Sequence, residues 1–145
     1  MQEKRIELDQ ILLWIIKIGV FTLLITPLIV VSDWFYPLVT GKNFFFRIIV
    51  EVVFGAWISL MILTGRSQPR RGLLLVAFTA FVAALGIATI AGVNPYHSFW
   101  SSLQRMEGLI THIHLLMLFL VLTSLFRKSR DWTYIWIFSL SVSLI

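Results

Sequence analysis

Long apolar segments recur along this 145-residue chain, and most are close to the length that crosses a lipid bilayer. The hydrocarbon core is about 30 Å thick, so a helix needs about 20 mostly apolar residues to cross it. Hydrophobic residues make up 59% of the chain and charged residues 13%, about half the charged share of a typical soluble domain. The sequence therefore predicts an all-α integral membrane protein, a polytopic helical bundle of four full transmembrane helices plus a truncated fifth. The predicted helices cover about residues 11–31, 44–64, 72–93, 107–126 and 131–145.

The last apolar segment is shorter than a membrane span. It begins near Trp132 and is still apolar at Ile145, whereas a span needs about 17 residues or more. A short helix lying in the membrane interface would explain it. We favour the other explanation, in which residues 1–145 are the N-terminal transmembrane part of a longer protein.

Basic residues between the apolar segments set the predicted orientation. One side of the membrane would carry Lys4, Arg5, Arg66, Arg70, Arg71, Arg127, Lys128 and Arg130. The other side would carry Lys42 and Arg105, with Arg47 at the edge of a helix. Because loops rich in Lys and Arg stay inside, the sequence predicts a cytoplasmic N-terminus, with residues 32–43 and 94–106 facing outward.

The net charge of +5 does not indicate nucleic-acid binding, since no basic stripe alternates with exposed aromatics. The chain has no cysteine, which excludes disulfides and thiolate metal sites. His112 and His114 are two apart and diverge on a helix, so we predict polar packing rather than a metal site, with a general-base role left open. No nucleotide or phosphate-loop motif appears, and we predict no cofactor.

Four charged residues are the candidate site. Arg47 and Glu51 are four apart and share a helix face, either as a structural ion pair or as the lining of an outward-facing polar cavity. Arg105 and Glu107 are two apart, so we expect each to find a partner across the bundle: Glu51 for Arg105, and Arg47 for Glu107. Two arginines near the outer surface would suit a lipid headgroup or a pyrophosphate, because the guanidinium group matches phosphate geometry.

Two further patterns have structural and functional interpretations. Aromatic residues cluster at the predicted outer boundary, where they would form an interfacial belt or a platform for stacking sugars. These residues are Trp34, Phe35, Tyr36, Tyr96, Phe99 and Trp100. Small residues recur every four positions in the third segment, which predicts close packing against a neighbouring helix, with a homodimer seam as the alternative. They are Gly72, Ala80, Ala84, Ala88 and Gly92.

Three stretches together resemble one known family. The sequence "NPYHSFWSSLQRMEGLITHIHLLMLFLVL" is similar to a signature early in O-antigen ligases: an aromatic outer loop, then "RMEGL", then a helix that begins with histidines. "PLVTGKNFFFRIIVEVVF" resembles the first outer loop and second helix of that family, and "RKSRDWTYIWIFSLSVS" resembles the start of its fifth helix. The resemblance covers nearly the whole chain.

The resemblance implies a multi-pass protein of the bacterial cytoplasmic membrane. Such ligases transfer a glycan, without a metal ion, from undecaprenyl-pyrophosphate to an acceptor on the outer side. Their catalytic arginines and histidine belong to a large outer loop beyond the fifth helix, so no catalytic residue is assigned here and this chain alone is expected to be inactive. The implied partners are the membrane, a lipid-linked oligosaccharide and the remaining helices of the longer protein. Substrate contact would fall to Arg105, Glu107, Arg47 and Glu51.

Two other functions are open from the sequence. The chain could be a small helical membrane subunit without catalytic activity, whose charges serve only assembly. It could also be a fragment of a transporter for anionic lipids or sugars. A transporter is expected to show inverted repeats or interrupted helices, and neither is visible in these segments.

Overall fold

The computed structural model of the chain is helical throughout the residues that it describes, which are 2–29, 39–65, 67–69, 72–102 and 106–144. Six α-helices occur there, with a single turn of 3-10 helix at Thr26–Leu28. The helices are α1 (Gln2–Leu23), α2 (Thr40–Thr64), α3 (Leu73–Ala91), α4 (Pro95–Trp100), α5 (Leu109–Leu125) and α6 (Ser129–Ser143). The predicted all-α class is therefore confirmed for this part of the chain.

Two helices in the described ranges are long and apolar enough to cross a membrane, judged by length and composition. They are α2, with 25 residues and a mean hydropathy of 2.1, and α3, with 19 residues and 2.5. The apolar helix α5 has 17 residues. In α1, the last turns are apolar but Glu7, Asp9 and Lys17 raise the charge content. Two of the four predicted full spans meet this criterion, and the other two stay a prediction.

The first helix differs most from its predicted range of 11–31. It begins at Gln2, because the polar stretch "QEKRIELDQ" consists almost entirely of good helix formers and extends the helix beyond its apolar part. It ends at Leu23, before Pro27, whose ring removes a backbone donor and disfavours helix at the residue before it. The hydroxyl of Thr26 donates to the carbonyl oxygen of Leu23 at 2.6 Å and closes this end.

The other helices lie near their predicted ranges. The second begins four residues early, at Thr40, and ends at Thr64 as predicted. The last ends at Ser143, and residue 145 lies outside the described part. The short helix α4 was not predicted, although its signals are local: Pro95 fits a first helical turn, and the Asn94 side chain accepts from the His97 backbone N–H at 3.1 Å.

The apolar core lies where α1, α2 and α5 meet. Ile16 of α1, Val53 of α2 and Val121 of α5 are all fully or almost fully buried. Gly19 lets α1 approach closely, since a Cβ at this position would collide with the Val53 side chain. The indole N–H of Trp57 donates to the carbonyl oxygen of Ser67 at 3.0 Å and fixes the end of α2.

The three alanines of the small-residue stripe in the third segment do not lie in a packed interface of the described structure. Ala80, Ala84 and Ala88 are exposed, and α3 instead buries Val82 and Thr89. Only 6% of the most apolar 18-residue stretch of α3 is buried inside the structure. The prediction of close packing within this chain was wrong for these alanines, because α3 faces its neighbours with larger side chains.

Two basic loops that were predicted to share one side of the membrane do meet. The Arg127 side chain donates through Nη2 to the carbonyl oxygen of Gln68 and through Nε to that of Ser124, each at 2.8 Å. The ends of α2 and α5 therefore lie together, opposite the end at which α4 and the start of α5 are found. Which end faces the cytoplasm remains a prediction.

Candidate functional site

A buried arginine joins α2 to the segment before α5. Arg47 is only 7% exposed, although it lies in the second turn of an apolar helix. Its Nη2 donates to the carbonyl oxygen of Met106 and to the hydroxyl of Thr111, both at 3.1 Å. The Thr111 hydroxyl in turn donates to the same Met106 carbonyl at 2.7 Å. A closed polar network therefore surrounds one edge of the guanidinium group.

The backbone at Met106 is strained in a way that serves this network. Its φ is 52°, in the left-handed region that a side chain other than glycine rarely adopts. Such a conformation costs of order 1–3 kcal/mol and persists only where surrounding contacts hold it. Here the contacts are the two hydrogen bonds that Arg47 and Thr111 donate to the carbonyl oxygen.

Another edge of the guanidinium group has no protein partner in the described structure. The Nε of Arg47 is fully buried and makes no hydrogen bond with a described residue. The residue also borders a cavity of about 370 Å³, here called the Arg47 cavity. Its lining consists of Phe44, Arg47, Tyr96, Trp100, Ser101, Ser102 and Met106. A buried cation with an unused donor, beside aromatic rings and two serines, is suited to an anionic or sugar-bearing ligand.

Glu51 and His114 form a second contact between α2 and α5. The Nδ1 of His114 lies 2.7 Å from the carbonyl oxygen of Ile110, and its Nε2 lies 3.2 Å from Oε1 of Glu51. The Nδ1 contact stays within the first turns of α5, whereas the Nε2 contact joins α5 to the Glu51 side chain of α2.

This contact predicts how Glu51 variants behave. Glu51→Gln should keep the helix pairing, because the amide N–H can donate to an unprotonated Nε2. Glu51→Ala should lower the free energy of unfolding by about 1 kcal/mol, the net value of one hydrogen bond, since the carboxylate is 65% exposed. Thermal unfolding in detergent micelles measures the stability of both variants.

The matched control for these variants is Glu107→Ala. Glu107 is also exposed, and it makes no hydrogen bond or ion pair with the described residues. The Glu107→Ala substitution should therefore leave the free energy of unfolding unchanged. A Glu51→Ala variant as stable as wild type would show that the Glu51–His114 contact does not hold the helices.

His112 points away from His114, as their spacing predicted. Its Nδ1 lies 3.2 Å from the carbonyl oxygen of Gly108, and its ring meets Phe81 of α3 with centroids 6.0 Å apart. It borders a cavity of about 250 Å³ between α3, α4 and α5. The lining is Leu85, Ala88, Thr89, Ser98, Glu107, Gly108, Leu109 and His112. Residues 106–108, just before α5, thus lie between the Arg47 cavity and this second cavity, which the carboxylate of Glu107 borders.

Gly108 holds that dividing segment in place. A Cβ at this position would collide with the carbonyl group of Phe99 and with the carbonyl carbon of Trp100, which are backbone atoms. Its φ of −70° is open to any residue, so the requirement for glycine is purely steric. The ring of Phe99 packs edge-on against that of Trp100, with centroids 5.2 Å apart.

The structure brings some predicted site residues together and separates others. Arg47 and Glu51 both contact the α5 region, but through separate partners rather than as an ion pair. The pairing of Arg47 with Glu107 was wrong, since Arg47 reaches the backbone next to Glu107 and not its carboxylate. Arg105 lies outside the described residues, so its pairing with Glu51 stays a prediction.

Sequence reasoning missed two groups at this site. The Thr111 hydroxyl and the Met106 carbonyl hold Arg47, and neither is charged. Only Thr111 had a possible signal, as a hydroxyl in the first turn of an apolar helix. The backbone carbonyl had none, because its accessibility depends on the left-handed turn.

No protein-family model, curated protein or solved structure matches the chain. The resemblance to O-antigen ligases therefore stays a prediction from the sequence motifs. Among the described residues, no group of three or more His, Asp or Glu is placed to hold a metal ion. The Arg47 cavity and its surroundings are the candidate functional site.

Proposed function

We propose that the chain is the N-terminal transmembrane part of a membrane glycosyltransferase resembling O-antigen ligases. The complete protein would transfer a glycan from undecaprenyl-pyrophosphate to an acceptor on the outer side of the bacterial cytoplasmic membrane. The observation that carries this proposal is the Arg47 cavity, which is bordered by a buried arginine whose Nε has no hydrogen-bond partner among the described residues. A pyrophosphate is the leaving group of such a transfer, and a fixed cation stabilises the negative charge that develops on it.

The other walls of the cavity fit a lipid-linked glycan. Tyr96 and Trp100 supply aromatic faces on which a sugar ring can stack, and Ser101 and Ser102 supply hydroxyls for its polar edge. Phe44 adds an apolar side at the level of the first turns of α2. Charge, aromatic and apolar surfaces thus converge in a space of about 370 Å³, within the range of small-ligand sites.

Membrane placement is supported by α2 and α3, which are long and apolar enough to span. We extend this to four full spans and a fifth helix, with the N-terminus in the cytoplasm. Large apolar side chains exposed along α3, such as Leu73, Ile87 and Ile90, would then face lipid or further helices of the protein. The Arg47 cavity would lie at the outer end, where a flipped lipid-linked glycan is found.

Cysteine accessibility measures this orientation directly, because the chain has no native cysteine. In the proposed topology, Ser98→Cys should react with a membrane-impermeant maleimide added to intact spheroplasts. Ser67→Cys should react only after the membrane is opened. Labelling of Ser67→Cys from outside, with Ser98→Cys protected, would reverse the orientation and place the Arg47 cavity on the wrong side for this reaction.

The decisive experiment for the function is a transfer assay. The complete gene product, purified in detergent or nanodiscs, is given a purified undecaprenyl-pyrophosphate glycan and a lipid acceptor in the presence of a chelator. The proposal expects acceptor glycosylation and release of undecaprenyl-pyrophosphate. Arg105→Ala should reduce turnover more than Arg105→Lys, which keeps the charge but loses the planar fork. A folded protein without transfer for any donor would instead favour a non-catalytic membrane subunit.

A further inference from the structure

A third cavity lies at the opposite end of the helices from the Arg47 cavity, between α1, the end of α5 and the start of α6. We call it the basic cleft. Its volume is about 280 Å³, and it is lined by Leu13, Lys17, Leu125, Phe126, Lys128, Arg130 and Asp131. Three of the side chains are cations and one is a carboxylate, so the lining has an excess of positive charge.

The three cations are not neutralised by the described protein. Lys17, Lys128 and Arg130 make no ion pair within 4.0 Å and no side-chain hydrogen bond with any described residue, although Asp131 borders the same cleft. The neighbouring Arg127 is different, because both its Nε and its Nη2 are held by backbone carbonyls. One arginine of this region is therefore structural, and the other cations remain available to a ligand.

The cleft also has an apolar wall. Leu13, Leu125 and Phe126 line it beside the cations. Two tryptophans lie close to it in the chain: Trp14 is 65% exposed and Trp132 is 38% exposed. Tryptophan concentrates at the headgroup level of membranes, where one part of its ring is apolar and another part is polar.

We propose that the basic cleft binds the phosphate headgroup of an anionic phospholipid. Lys17, Lys128 and Arg130 would contact the phosphate oxygens, while the apolar wall would meet the start of the acyl chains. Basic pockets between transmembrane helices bind anionic headgroups in this way. Inorganic phosphate offers the same charge, but it has no part that could use the apolar wall. The inference rests on the membrane location and is independent of glycan transfer.

The geometry of α1 and α6 suits this ligand. Their rings Phe21 and Phe138 meet edge-on, with centroids 5.5 Å apart. This contact lies further along both helices than the cleft, so it closes one end of the gap between them. The Lys17 stem can extend from α1 towards the charged rim, as long basic side chains do near membrane surfaces.

The test uses the chain in nanodiscs of phosphatidylcholine with a minor fraction of phosphatidylglycerol, followed by mild release and native mass spectrometry. We expect wild type to retain phosphatidylglycerol in preference to phosphatidylcholine. Each cation removed should lower this preference about fivefold, so Lys17→Gln with Arg130→Gln should lower it about 25-fold. Lys128→Gln, which changes a loop residue, is the second variant.

Lys42→Gln is the charge-matched control, because Lys42 belongs to the first turn of α2 at the other end of the helices. It should leave the preference unchanged. An unchanged preference in folded Lys17, Lys128 and Arg130 variants would overturn the proposal. Displacement of the lipid by millimolar inorganic phosphate, with the apolar-wall variant Leu13→Ala having no effect, would overturn the lipid as the ligand and assign the cleft to free phosphate.

Discussion

Gly108→Ala is expected to lower the free energy of unfolding by about 1–3 kcal/mol, the range measured when extra volume is forced into a packed site. The added methyl group would meet the backbone carbonyl groups of Phe99 and Trp100. Backbone atoms cannot rotate away as a side chain can, so α4 and the start of α5 must separate. Thermal or chemical unfolding in detergent micelles measures the loss.

The sign of the effect makes this prediction specific. Alanine is compatible with the φ of −70° at Gly108, so the substitution adds no backbone strain of its own. Where there is space, Gly→Ala in a helix stabilises by about 0.5–1 kcal/mol. Gly86→Ala is the matched control, because nothing lies within 4 Å of a Cβ built there. If both variants are more stable than wild type, the close approach at Gly108 does not exist in the protein.

Much of the helical architecture could be predicted from the sequence, because apolar length is a strong signal. The end of α2 at Thr64 and the position of α5 followed directly from the limits of their apolar segments. The start of α1 did not, since polar residues with high helix propensity extend a helix without any change in hydropathy. Side-chain contacts were harder still: the alanines of α3 suggested an interface, but the packing of α3 buries Val82 and Thr89.

The candidate site was predictable only in part. A charge within an apolar helix marks a position that must find a partner, and this identified Arg47 and Glu51 from the sequence alone. Their partners could not be derived, because charge matching considers only other charges. Arg47 instead uses a threonine hydroxyl and a backbone carbonyl, and Glu51 uses a histidine.

Arg47→Met is expected to separate the structural and functional roles of this arginine. Removing it gives up two hydrogen bonds from a charged donor, to Met106 and Thr111, each worth about 1.5–3 kcal/mol. It also removes the cost of holding a charge inside an apolar helix, which is at most about 2.5–3.5 kcal/mol on insertion scales. The two contributions oppose each other, and the Met106 carbonyl keeps the Thr111 hydroxyl as a donor. The free energy of unfolding should therefore fall by no more than about 3 kcal/mol.

Binding of the lipid-linked donor should weaken independently of any change in stability. A hydrogen bond from a charged group to a phosphate contributes about 1.5–3 kcal/mol, so Arg47→Met in the complete protein should weaken donor affinity by about 10- to 150-fold. Thr111→Val is the matched variant, since it loosens the hold on Arg47 but leaves the cation on the cavity, and it should weaken donor affinity less. Titration with a purified undecaprenyl-pyrophosphate glycan measures both. A large loss of stability with unchanged donor affinity would make Arg47 a structural residue, and the unpartnered Nε would then mark no ligand site.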